Sequence, residues 1–337
     1  MKGVSESPSP SASPVLSPVS TLLNGLSQVF IVTNPWAGLL ILAGVAWASL
    51  PMAALVLLGA AVTTASALLL ADAREDVPLG LHGYNGALIG AASFITWNAV
   101  GPALATTLLG GLAGSVLTTA LARLLAGRAL GRLGLPVLTA PFCLTSGVVA
   151  LLGAQYASTT PLDQLPMGNG WIEAGEGLLG NVSEVILVDN PVTGALILAG
   201  LFLASWRVGL AALLGAAGEL AVDFATGQDV DKLAHGLLGY SGVLVAIALG
   251  AVFVTGSLAR RLGAAAGGLA LSQLVEIGIA QTPVPAYTWP FILPTWAVLA
   301  ALALLDRRRE RRGLRSPDSA AQSGPAQDAE PAATPAR

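Results

Sequence analysis

Charge is scarce in this chain. Charged residues make up 10% of its 337 positions and hydrophobic ones 54%, against about 25% charged in an ordinary soluble domain. With a mean hydropathy of +0.73, the chain cannot cover itself with polar groups, so the lipid bilayer is its expected solvent. Cysteine is scarcer still. The one cysteine, Cys143, excludes an intramolecular disulfide, and its place beside Pro141 and Phe142 marks it as a packing residue. Only two histidines occur, His82 and His235. Neither has Cys, Asp or Glu at metal-ligand spacing, so no zinc or haem site and no cofactor are expected. The chain has no G-x-x-x-x-G-K-[ST] cradle for ATP phosphates and no Ser/His/Asp set, so it is not expected to be an enzyme.

What the chain does have is itself, twice. Asn34-Pro-Trp-Ala-Gly-Leu-Leu-Ile-Leu-Ala-Gly44 returns as Asn190-Pro-Val-Thr-Gly-Ala-Leu-Ile-Leu-Ala-Gly200. The same offset aligns Leu57-Leu-Gly-Ala60 with Leu213-Leu-Gly-Ala216, and Gly80-Leu-His-Gly-Tyr84 with Gly236-Leu-Leu-Gly-Tyr240. A two-fold repeat in an apolar chain is the mark of transporters and channels that build a site at the repeat interface.

Breaking the chain at Pro, Gly and charge clusters predicts spans near 36–50, 52–71, 79–98, 101–122 and 134–153, then 191–206, 208–226, 234–254, 261–280 and 290–305. Each is long enough, or nearly so, for a ~30 Å hydrocarbon core. The leading segments 19–32 and 174–188 are shorter and broken by glycine, as re-entrant half-helices are. With the N-terminus inside, Lys2, Arg74, Arg123, Arg128, Arg132, Arg207, Arg260, Arg261 and the arginines after 306 all fall on the cytoplasmic side, and only Lys232 falls outside. Five spans per half then make the repeats inverted. The expected fold class is an all-α integral membrane protein: two inverted repeats of five transmembrane helices plus one half-spanning re-entrant helix each, with a pore at their interface.

The expected organisation is a disordered tail at 1–18, a first repeat at 19–155, an extracellular linker at 156–173, a second repeat at 174–306, and a basic anchor with a disordered cytoplasmic tail at 307–337. The first tail lacks the basic n-region of a signal peptide. The run Arg307-Arg-Arg-Glu-Arg-Arg312 reads as a cytoplasmic anchor, not a nucleic-acid site.

Polar groups that survive in such a chain are candidates for function, because burying one without a partner costs several kcal/mol. Gln28 and Glu184 each precede an Asn-Pro by six residues, so the repeat places a side-chain oxygen at one position twice. Leu135-Pro-Val-Leu-Thr139-Ala-Pro141-Phe142 matches Val284-Pro-Ala-Tyr-Thr288-Trp-Pro290-Phe291. Proline on both sides of Thr139 and Thr288 frees backbone carbonyls, which a membrane tolerates only beside a polar cavity or another helix. Inversion should bring the two threonines together. Tyr84 with Leu88, and Tyr240 with Leu244, stand four apart on one helix face and would wall a flat slot. Asn34 and Asn190 read as helix caps; Glu219, Asp223 and Glu276 as packing or rim residues.

At these residues the chain resembles the urea transporter family over about 20–306. Gln28-Val-Phe-Ile-Val-Thr-Asn34-Pro35, Gly80-Leu-His-Gly-Tyr84-Asn85, the Thr139 element and Tyr287-Thr288-Trp289-Pro290-Phe291 carry the resemblance. It implies a homotrimer in the inner cell membrane with one pore per protomer, through which urea passes passively in both directions. It also implies that Gln28 and Glu184 accept from urea N–H groups in the outer and inner sites, and that Thr139 and Thr288 line the middle. Ile31, Tyr84, Leu88, Val185, Tyr240 and Leu244 would then form the slots. Where bacterial members carry phenylalanine, this chain has Ile31, Tyr84 and Tyr240. Urea is planar and neutral with four N–H donors, so a ladder of oxygens between flat apolar walls suits it, and nothing here would replace an ion's hydration shell. The alternative is a pore for ammonia, water or short amides.

Overall fold

A computed structural model describes residues 17–70, 76–97, 99–154, 170–226, 240–283 and 285–313. The expectations for most of both tails, most of the 156–173 linker, Lys2, Arg74, Lys232 and His235 lie outside these residues. Among the described residues the fold is all-helical. The first half holds α1 (Pro18–Gln28), α2 (Pro35–Ala48), α3 (Leu50–Leu70), α4 (Gly83–Trp97), α5 (Val100–Ala126) and α6 (Ala140–Gly153). The second holds α7 (Gly170–Ser183), α8 (Pro191–Ala204), α9 (Trp206–Thr226), α10 (Tyr240–Val245), α11 (Leu258–Ile279) and α12 (Trp289–Gly313). A π-helical segment, Ala246–Val252, prolongs α10.

Local chemistry sets many of these boundaries. Asn34 caps α2 by accepting from the backbone N–H of Trp36 and Ala37, and Asn190 caps α8 by accepting from Thr193, each with proline at the first helical position. Helices α4 and α6 start later than hydropathy suggests, at Gly83 and Ala140. The residues before them wind into single 3₁₀ turns, Val77–Leu79 and Gly131–Leu133, that end on left-handed Gly80 and Gly134.

Among the described residues four stretches are long and apolar enough to cross a bilayer: 50–69, 100–126, 258–279 and 289–310. The pair Gly175–Ile186 and Pro191–Ala204, bent by 75°, is a further candidate, and Pro35–Ala48, Ala140–Gly153 and Tyr240–Val252 are shorter apolar helices. Leucines such as Leu109, Leu152 and Leu274 stand exposed around the outside, where lipid replaces water. The chain is a multi-pass membrane protein.

Helices α2 and α8 cross at the centre. Thr193 donates from Oγ1 to the carbonyl of Gly44 at 2.7 Å. A methyl group added at Gly44 would come within 3.0 Å of Thr193, and one at Gly200 within 3.2 Å of Ala37. Ala37 and Thr193 are matched positions of the repeat, as are Gly44 and Gly200. The same contact is therefore made twice with the halves exchanged, the start of each helix lying against the end of the other.

Backbones approach closest where the half-helices meet these two. A Cβ on Gly38 would collide with the carbonyl of Leu23, and one on the matched Gly194 with that of Leu179. Backbone cannot move aside as a side chain can. Gly38→Ala and Gly194→Ala are each expected to abolish the monodisperse peak in detergent size-exclusion chromatography. A normal peak from either would show that the helices can slide apart.

Candidate functional site

Helices α1 and α7 end in the same turn. Ile31 donates its N–H to the carbonyl of Gln28 at 3.0 Å, and Leu187 donates to that of Glu184 at 2.8 Å. Both donors of the closing bond, Ile31 and Leu187, sit at left-handed φ, 60° and 62°. A β-branched residue there is a steric outlier worth about 1–3 kcal/mol of strain. The turn holds because a serine pins it. Ser27 Oγ accepts from the N–H of Asn34 at 3.1 Å and donates to the carbonyl of Val32 at 2.9 Å, while Ser183 Oγ accepts from Asn190 at 3.4 Å.

This turn aims the two candidate oxygens. Gln28 spends its amide N–H groups on Thr33 Oγ1 at 2.6 Å and the Leu79 carbonyl at 3.2 Å, which leaves Oε1 as its available acceptor. Glu184 is buried, 8% exposed, and its turn packs against α10.

The threonines meet. Thr139 Oγ1 and Thr288 Oγ1 lie 2.6 Å apart, buried, and Cys143 Sγ stands 3.1 Å from Thr288 Oγ1. Each threonine follows a residue forced into left-handed backbone, Leu138 at φ 52° and Tyr287 at φ 38°. A tyrosine holds each of those residues. Tyr84 donates its hydroxyl to the Leu138 carbonyl at 2.7 Å, and Tyr240 donates to the Tyr287 carbonyl at 2.6 Å. Two of the three departures from phenylalanine, Tyr84 and Tyr240, thus supply the bonds that fix the threonine turns. Asn85 adds a further tie, accepting from the Phe142 N–H at 3.1 Å. Phe142 and Tyr287 close the centre edge to face, with centroids 5.0 Å apart.

A cavity of about 300 Å³ leads to this point, lined by Gln28, Ile31, Tyr84, Leu138, Thr139 and Phe291, and also by Asp76, His82, Thr118 and Pro136. It gathers four of the ten candidate residues: Gln28, Ile31, Tyr84 and Thr139. Thr288 is joined to it through Thr139. Tyr240, Leu244, Val185 and Glu184 cluster in the second half, where α10 packs on the Glu184–Ile186 turn. Leu88, Leu244 and Val185 are fully buried in the common core.

Two participants escaped the sequence. Cys143 lies four residues after Thr139, one turn along α6, and that spacing was the available signal. Its matched residue is Ile292, so the repeat did not flag it. Trp296, which donates from Nε1 to the Pro136 carbonyl at 2.8 Å, ties α12 to the other half and had no partner in the pattern. Glu219 is interior, 2% exposed, and accepts from Gln273 Nε2, which fits packing and not a rim.

The family model described as Urea transporter matches residues 19–303. Urea transporter 1 of Mus musculus is 27% identical over 306 residues, covering 83% of this chain and 76% of the relative. Urea transporter 1 of Rattus norvegicus is 28% identical over 305 residues with the same coverage, and that of Capra hircus 27% over 302 residues, covering 82% and 75%. The match runs through α1 and most of α12, so both turns and both threonine elements fall within it, and the chain belongs to the urea transporter family.

Proposed function

We propose that urea crosses the membrane passively through a pore that runs from the Gln28 cavity, past the Thr139–Thr288 contact, to the Glu184 turn. The observation that carries this reading is that contact: two matched hydroxyls, 149 residues apart, meet at 2.6 Å at the end of a cavity whose wall includes an oriented amide oxygen. Two acceptors and two hydroxyls between Tyr84 and Tyr240 make a ladder for N–H donors. The chain works as a transporter, not an enzyme.

The halves are inverted repeats, 19–155 and 174–306, related by a two-fold axis in the membrane plane. The exchange of contacts between α2 and α8 supports this, as any two-fold axis requires such self-complementary pairs. The cavity supports it too, because Tyr84 at the start of α4 faces Phe253 beyond the end of the helix matched to α4. Helices of one sense would have put Tyr84 beside Tyr240.

The side each mouth faces follows from arginine. Arg307 donates to the Arg132 carbonyl, and the segment carrying Arg132 continues into Pro136, which lines the Gln28 cavity. With the arginine face inward, Gln28 serves the inner site and Glu184 the outer one. This reverses the order that the family resemblance implied. The termini are then cytoplasmic, the location the inner cell membrane, and the assembly a homotrimer with one pore per protomer.

Stopped-flow light scattering on proteoliposomes tests the reading. Urea is expected to enter faster than acetamide, ammonia or glycerol, at a rate unchanged by an imposed membrane potential, since a neutral permeant moves no charge. Equal rates for urea and glycerol would make the pore a general one for small neutral solutes. Uphill urea accumulation driven by a proton gradient would overturn the passive mechanism.

A further inference from the structure

The two halves differ in one place that permeation does not use. In the first half α3 packs directly on α5: a methyl added at Gly111 would come within 2.9 Å of Val62. The position matched to Val62 is Gly218, where an added methyl would meet only Leu269, at 3.9 Å. Helices α9 and α11 accordingly stand apart, and a groove of about 510 Å³ opens between them over the π-helical segment.

Its two ends differ in chemistry. At one end stand Arg207, in the first turn of α9, and Arg261, in the first turn of α11. Two helix N-termini add their own positive ends at this level. Arg261 donates from Nε and Nη2 to the Gly250 carbonyl at 2.8 and 2.6 Å, which fixes its position and leaves its charge uncompensated. Arg207 rests over the Trp206 ring at 5.6 Å. Arg260 is already paired with Asp306 at 2.6 Å, and among the described residues no acid lines the groove. Away from the arginines the lining is apolar: Leu210, Leu214, Leu262, Ala265, Ala266 and Leu269.

Length identifies the occupant. The lining runs from Trp206 to Gly215 on α9 and from Leu258 to Leu269 on α11, about 15–18 Å at 1.5 Å per residue. That is half of a ~30 Å hydrocarbon core, the depth of one leaflet. We propose that this groove is a binding site for an anionic phospholipid, its head group between Arg207 and Arg261 and one acyl chain along Leu210, Leu214, Leu262 and Ala266. Cationic clefts between transmembrane helices suit such head groups, and each arginine contributes about fivefold in affinity. The inference stands apart from the permeation pathway.

Native mass spectrometry of the full chain in detergent, titrated with phosphatidylglycerol or phosphatidylcholine of identical chains, tests it. The wild type is expected to hold phosphatidylglycerol at least about fivefold more tightly. Arg207→Gln and Arg261→Gln should each lower that preference about fivefold. Ala266→Phe, an exposed position that touches neither arginine, should fill the tail channel and weaken both lipids. Arg261→Gln also frees the Gly250 carbonyl, so Arg207→Gln, whose side chain is exposed, decides the matter if Arg261→Gln does not fold. Equal affinity for the two lipids would overturn the site, as would an unchanged preference in Arg207→Gln. Efficient protomer-to-protomer cross-linking of Leu262→Cys in membranes would give the groove to a second copy of the chain and overturn the lipid assignment.

Discussion

Replacing Glu184 by alanine is expected to lower urea flux by about fivefold to a hundredfold, while Glu184→Gln keeps a measurable share. The two variants separate an oxygen acceptor from a negative charge. Glu184 is buried, 8% exposed, and its carboxylate takes no hydrogen bond from a described residue among those that pack around it. Its matched residue, Gln28, reaches the same condition differently: both amide N–H groups are committed to Thr33 and Leu79, and the oxygen remains. What the two positions share is an acceptor held ready for a donor. Removing one costs about 1–3 kcal/mol when the partner is left unsatisfied, which is about fivefold to a hundredfold in rate. Glutamine restores the acceptor without the charge, and neutral hydrogen bonds are roughly half as strong as charge-assisted ones, so its flux should lie between. Flux is read in proteoliposomes with protein content matched by gel, and unchanged flux in Glu184→Ala would remove this residue from the path.

The parts of this molecule that were legible in its sequence are those with a local cause or a duplicated one. Asn34 and Asn190 cap their helices through bonds that span two or three residues, so a short motif contains the whole interaction. The meeting of Thr139 and Thr288 was legible for another reason: a Pro-Thr-Pro element written twice in a repeated chain is expected to meet its own copy if the halves are related as proposed above. What stayed hidden depends on tertiary bonds from elsewhere. Leu138 and Tyr287 are not glycine, and nothing local announces left-handed backbone at either. The hydroxyls that hold them come from Tyr84 and Tyr240, on helices 54 and 47 residues away. Tyrosine for phenylalanine at those positions reads as a change of slot lining, yet its hydroxyl is occupied in the scaffold. Cys143 was hidden because its matched residue, Ile292, has no polar atom. The order of the two acceptors across the membrane, which we propose to be the reverse of what the resemblance implied, depends on where the Gln28 cavity opens relative to the Arg132–Arg307 contact, and that is tertiary.

The threonine pair makes the second strong prediction. Thr139 and Thr288 are hydrogen-bonded to each other at 2.6 Å, too close for a urea molecule to lie between them, so passage must exchange that bond for bonds to the permeant. The exchange is nearly even when both hydroxyls are present, since a bond broken between threonines is replaced by bonds to urea oxygen or N–H groups. Thr→Val keeps the volume and removes the partner. Urea then leaves water without full compensation, at about 0.5–1.5 kcal/mol per lost bond, and flux should fall by several-fold to about tenfold. The two positions are not equivalent, however. Thr288 also contacts Cys143 Sγ at 3.1 Å, so in Thr139→Val the remaining hydroxyl is still held in place by sulfur. In Thr288→Val both contacts go and Thr139 is left alone. Thr288→Val is therefore expected to be the slower single variant, and Cys143→Ala should enlarge the loss seen in Thr139→Val more than the loss in Thr288→Val. The double valine variant leaves an apolar constriction and should reduce urea flux to that of protein-free liposomes. Normal flux in the double variant would mean that the threonine contact only packs two helices, and that urea finds another way across.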